Sequence, residues 1–160
     1  MGTSTDAENG GSLTWAIRDS FLRYVTVIAR GSFETDGVEL DARSRFVFPL
    51  RAASRDGDDW HFWFSGSVRL TAHAGLVDVQ IVEPEITLGL DGGIISTRTD
   101  AGLLPIAVLD AVTGEEDGYN RAWQQIPARL LESGVPLFGD VYPAETEMAP
   151  LSIGAALVHS

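Results

Sequence analysis

Three side chains in this acidic, apolar-rich chain invite a chemical reading: Ser20, Tyr24 and His73. Ser20 and Tyr24 stand four residues apart in WAIRDSFLRY, so on a helix their oxygens lie on one face, one turn apart. The pair could offer a hydroxyl and a phenol to a single ligand. The spacing fits equally well a rim tyrosine with a wet hydroxyl and a serine turned to solvent. His73 closes the run SVRLTAH just before Ala74 and Gly75. Alternation puts it with Arg69 and Thr71 on the polar face, opposite Val68, Leu70 and Ala72. Taken alone, it reads as an exposed strand-end histidine.

Other groups argue against competing chemistries. The three histidines show neither HxH nor HExxH spacing, which disfavours a histidine-rich zinc or non-haem iron site. Acidic pairs at Glu83 and Glu85, at Glu115 and Glu116, and around Asp56, Asp58 and Asp59 fall in turn-rich segments and read as solvated charge. The run Trp60, Phe62, Trp63, Phe64 reads as strand core, and His61 within it as an ordinary surface histidine. With no cysteine, disulfides, thiol nucleophiles, iron–sulfur ligation and thiolate-ligated haem are excluded. All eleven basic residues are arginine, so Schiff-base chemistry and a Walker-type phosphate loop are excluded too.

The elements that must carry these residues divide by period. Residues 1–11 form a small, polar lead-in expected to be disordered, ahead of a single domain over 12–160. Ile17, Phe21, Val25 and Ile28, spaced four, four and three, predict a helix from Leu13 to Tyr24, with the β-branched VTVIA after it as a strand. From Val38 the period becomes two. Short alternating runs separated by DG, DGDD, SG, DGG and TG turns predict an antiparallel, mainly β architecture of the β-rich α+β kind. One further short helix is predicted from Pro127 to Ser133, ending at Gly134, followed by a last pair of strands.

A net charge of -12 opposes binding to nucleic acid or anionic lipid, both of which repel such a chain at long range. No apolar run approaches the roughly 20 residues that span a bilayer. The N-terminal stretch lacks the basic and apolar regions of a secretion signal. The expected location is therefore cytoplasmic, or extracellular or at the cell surface if a signal has been removed.

Three blocks carry a family likeness. LTWAIRDSFLRYV resembles the opening motif of the HtaA-type haem-binding domain, in which a tryptophan leads to a serine–phenylalanine pair and then a tyrosine. FSGSVRLTAHAGLVDVQIVEPEI resembles its strand, histidine, glycine and leucine block, and LFGDVYPAETEMAPLSI its closing segment. The likeness runs from Ser12 to Leu157 in the family's order; Glu145 and Ala149 stand where the family usually has glycine and aspartate. It implies two antiparallel sheets with short helices and a ferric, b-type haem at the helix edge. Tyr24 would be the axial iron ligand, Ser20 would contact a propionate, and His73 would hydrogen-bond the ligating tyrosine. The implied role is a haem carrier, store or transporter with a haem donor or acceptor protein as partner. The alternative is an intracellular haem-dependent enzyme acting on a small molecule. Exposed strands leave room for a homodimer.

Overall fold

The computed structural model describes residues 11–23, 31–72, 77–117, 120–140 and 142–156. Thirteen strands account for most of them. In chain order they are β1 (Gly11–Trp15), β2 (Ser32–Asp36), β3 (Glu39–Leu40), β4 (Phe46–Asp56), β5 (Asp59–Phe64), β6 (Ser67–Ala72) and β7 (Val77–Val82). There follow β8 (Glu85–Gly89), β9 (Gly92–Thr99), β10 (Gly102–Leu109), β11 (Glu115–Asp117), β12 (Asn120–Leu130) and β13 (Glu147–Ala156). One short helix, α1 (Asp19–Arg23), lies between β1 and β2, and two 3-10 turns, Glu132–Gly134 and Pro136–Phe138, lie between β12 and β13.

Eight strands close on themselves. The order β1-β13-β12-β10-β9-β8-β5-β4 returns to β1 through a β1–β4 ladder that sets Leu13 against Phe48 and Trp15 against Phe46. Alternation supplies the reason: Phe46, Phe48 and Leu50 are buried while Pro49 between them is exposed, and Leu13 and Trp15 are buried on either side of Thr14. At eight strands an antiparallel barrel is just wide enough for its inward side chains to fill it, and closure leaves no free edge. A separate sheet, β2-β6-β7, stands beside the barrel. Thr97 Oγ1 ties the two together, accepting from the Val82 amide at 2.7 Å and donating to the Val82 carbonyl at 3.3 Å.

The expectation of two antiparallel sheets behind an N-terminal helix is therefore wrong: the larger sheet is a closed barrel. The helix predicted over Leu13–Tyr24 begins only at Asp19, and Gly11–Trp15 is a barrel strand. Leu13, Trp15 and Ile17 also obey a period of two, and pairing to β4 and β13 satisfies more backbone than an isolated helix would. The helix predicted over Pro127–Ser133 is strand as far as Leu130. There Gln125, at φ 54°, bulges the strand between Trp123 and Ile126, which masked the alternation of Ile126, Ala128 and Leu130. The expected last pair of strands is one strand, β13, preceded by the 3-10 turns.

Candidate functional site

The chain leaves β1 through an unusual corner. Ile17, fully buried and β-branched, has φ 67°, and the Arg18 amide donates to the Ala16 carbonyl at 2.7 Å, which makes a γ-turn of the sterically strained hand. Such a backbone costs on the order of 1–3 kcal/mol and persists only where its surroundings hold it. Here Ala149 holds it from both sides. Its carbonyl accepts from the Trp15 indole at 2.8 Å, and its amide donates to the Ile17 carbonyl at 2.9 Å.

That corner aims Arg18 and starts α1. Phe21 anchors the helix, packing edge-on against Phe138 at 5.6 Å and Tyr142 at 6.0 Å between ring centroids. With Phe21 turned inward, Ser20 and Arg23 are exposed. Ser20 Oγ accepts a hydrogen bond from Arg18 Nη1. Arg18 is held in turn by the Glu147 carbonyl, 3.1 Å from its Nε, and by the Tyr142 ring, whose centroid lies 4.7 Å from its Cζ. Nothing in the sequence singled out Arg18; the only signal was a cation two residues before the motif serine.

Tyr24 and His73 lie outside the described residues, in the stretches 24–30 and 73–76. Three of the points where those stretches join the described chain, Gly31, Ala72 and Val77, lie together. Ala72, just before His73, pairs with Val77, where β7 begins. Gly31 abuts the same place: a Cβ on it would overlap the Thr71 carbonyl oxygen and stand 2.7 Å from the Ala72 Cβ. The 3-10 turn that carries Phe138 packs against β7, linking the base of α1 to this sheet. Arg69 and Asp78 pin β6 to β7 with two bonds of 2.9 and 2.8 Å, and that guanidinium holds the Asp78 carboxyl below its usual value.

The expectation that Glu85 is solvated is corrected. Glu85 is buried on the outer barrel wall, with His61 Nε2 3.0 Å from one carboxylate oxygen and Arg98 bonded to the other. His61 stacks on Trp63 at 3.8 Å, while Trp60, Phe62 and Phe64 point into the barrel. A cavity of about 550 Å³ lies nearby, between Ser54, Asp56, His61 and Asp91. It lines no part of α1 or the three-stranded sheet, and the described residues hold no cluster of metal-binding side chains.

The HtaA family model matches residues 10–154. The chain belongs to the HtaA family. Among curated protein sequences none matches it. Among solved structures, the C-terminal domain of HtaA from Corynebacterium glutamicum is similar with a TM-score of 0.84 and 25% identity, over 93% of this chain and 97% of that one. The N-terminal domain of the same protein is similar at 0.76 and 19%, over 94% and 98%. Heme binding protein HtaB from that organism is similar at 0.64 and 18%, over 92% and 93%. The overall fold is thus shared with these solved domains. No described helix of this chain is long and apolar enough to cross a membrane.

Proposed function

We propose that this HtaA domain binds ferric b-type haem at the edge of α1 as a carrier, store or transporter, with Tyr24 as the axial iron ligand. The observation that carries this reading is the convergence of attachment points. Arg23, which precedes Tyr24, ends a helix based on Phe138, whose 3-10 turn packs on β7, and Ala72, which precedes His73, pairs with the first residue of β7. Two motifs some fifty residues apart in sequence can thus serve one ligand.

The chemistry suits those residue types. A free phenol titrates near pH 10, so Tyr24 ligates at neutral pH only with help in losing its proton; bound iron supplies part of it and a hydrogen bond from His73 the rest. Phenolate is a hard anionic donor that favours ferric over ferrous iron, which suits holding oxidised haem and releasing it on reduction. Ser20, exposed on α1 four residues before Tyr24 in sequence, supplies a hydroxyl to a propionate.

The test is the absorption spectrum of the protein with ferric haem, before and after dithionite, beside Tyr24→Phe. A high-spin ferric spectrum with phenolate charge-transfer bands, lost in the variant and weakened on reduction, is expected. Identical spectra for the two proteins would remove Tyr24 from the iron.

A further inference from the structure

Arg18 is the side chain the strained Ile17 corner delivers, and its position is over-determined. The Glu147 carbonyl accepts from its Nε, the Tyr142 ring lies against its Cζ, and Nη1 reaches the exposed face of α1 at Ser20. A guanidinium carries five donors in one plane, and a serine hydroxyl that accepts from it keeps its own O–H to donate. Both groups can therefore donate to one carboxylate at once. The surrounding chain gives such a cation weight: a net charge of -12 opposes an anionic ligand at long range, and a fixed positive group where the carboxylates land offsets that repulsion.

We propose that Arg18 is the cationic partner of Ser20 in a carboxylate site on α1, and that this site takes the propionate side chains of a porphyrin. The proposal rests on the haem reading above. It adds a charged group that the motif residues lack and gives the strained corner a purpose, since a backbone strained at Ile17 sets the direction in which Arg18 leaves the barrel. The competing account is that Arg18 only ties α1 to β13 and Tyr142. The two accounts differ in whether the carboxylates of the ligand matter.

The experiment compares ferric haem with ferric haem dimethyl ester, whose propionates are uncharged, by titration at the Soret band. It uses the wild type, Arg18→Gln and Arg18→Lys, with thermal unfolding alongside. The wild type is expected to prefer the free acid by roughly tenfold or more, the effect of a hydrogen bond to a charged group. Arg18→Gln is expected to lose most of that preference while binding the ester as the wild type does, Ser20 keeping the remainder, and Arg18→Lys to regain much of it. Equal losses for acid and ester in Arg18→Gln would reduce Arg18 to a structural tie. A wild type with no preference for the free acid overturns the proposal without any variant. The phenolate charge-transfer bands separate the two failures: bands present with the preference unchanged in Arg18→Gln sink this inference alone. Bands absent and neither porphyrin bound sink the haem reading and this inference with it.

Discussion

At the scale of single residues, the proposed roles of Ser20 and His73 predict effects that differ in kind. Ser20 is exposed and bonded to Arg18, so Ser20→Ala removes one hydrogen bond to a charged group and leaves the fold alone. Haem affinity is expected to fall by about 1.5 to 3 kcal/mol at most, with the visible spectrum unchanged. His73→Ala is expected to weaken haem binding and also to shift the spectrum, because in the proposed site it hydrogen-bonds the ligating tyrosine. A shifted spectrum in Ser20→Ala, or an unshifted one in His73→Ala, would exchange or cancel those roles. Ser20 drew notice in the sequence through its spacing from Tyr24, but only the family motif gave it a role, which belongs to the proposal. Arg18 was not, because its position depends on a γ-turn that hydrophobic periodicity does not announce. Nor was Glu85, whose burial comes from His61 and Arg98 arriving on neighbouring strands.

At the scale of elements, the end of the three-stranded sheet is a place of close backbone approach beside the proposed site. Gly31 leaves no room for a Cβ beside Thr71 and Ala72, so Gly31→Ala must displace β6 just before His73 or the chain that follows Tyr24. Circular dichroism melts and haem titration are expected to show lower stability and weaker binding together, in contrast to Ser20→Ala; wild-type behaviour in both would mean the sheet yields freely there. The Arg69–Asp78 pair makes the same sheet sensitive to acid. Its carboxyl is held below its ordinary value, so its contribution is complete above the usual carboxylate range near pH 3.9 and is lost as pH falls through the lower, folded value. Denaturant melts from pH 7 to pH 2 are thus expected to show wild type more stable than Asp78→Asn at neutral pH, with the gap closing in acid. A gap that stays constant with pH would mean the pair contributes nothing.

At the scale of the whole molecule, barrel closure gathers the buried side chains into one core, and the proposed haem site lies outside it. A ligand bound only by the folded state raises stability by mass action, about 2.7 kcal/mol at a hundred times its dissociation constant. Ferric haem is expected to raise the melting temperature of the wild type and to leave Tyr24→Ala unmoved, by differential scanning calorimetry. An equal rise in both would place the haem elsewhere, with the outer cavity beside His61 the next place to test.

The amino-acid sequence by itself determined the β-rich character and the family. The first follows because alternation of buried and exposed side chains is a local property of each strand, visible at Phe46, Phe48 and Leu50. The second follows because a family likeness is carried by the order of residues along the chain, and the HtaA family model matches residues 10–154. The tertiary structure alone decided that the main sheet closes, since closure depends on β1 meeting both β4 and β13, partners distant in sequence. For the same reason it turned Leu13–Trp15 from a predicted helix into a strand. A segment that satisfies both the 3.6 and the 2.0 period takes the structure whose backbone partners are present, and those partners are supplied by the rest of the fold.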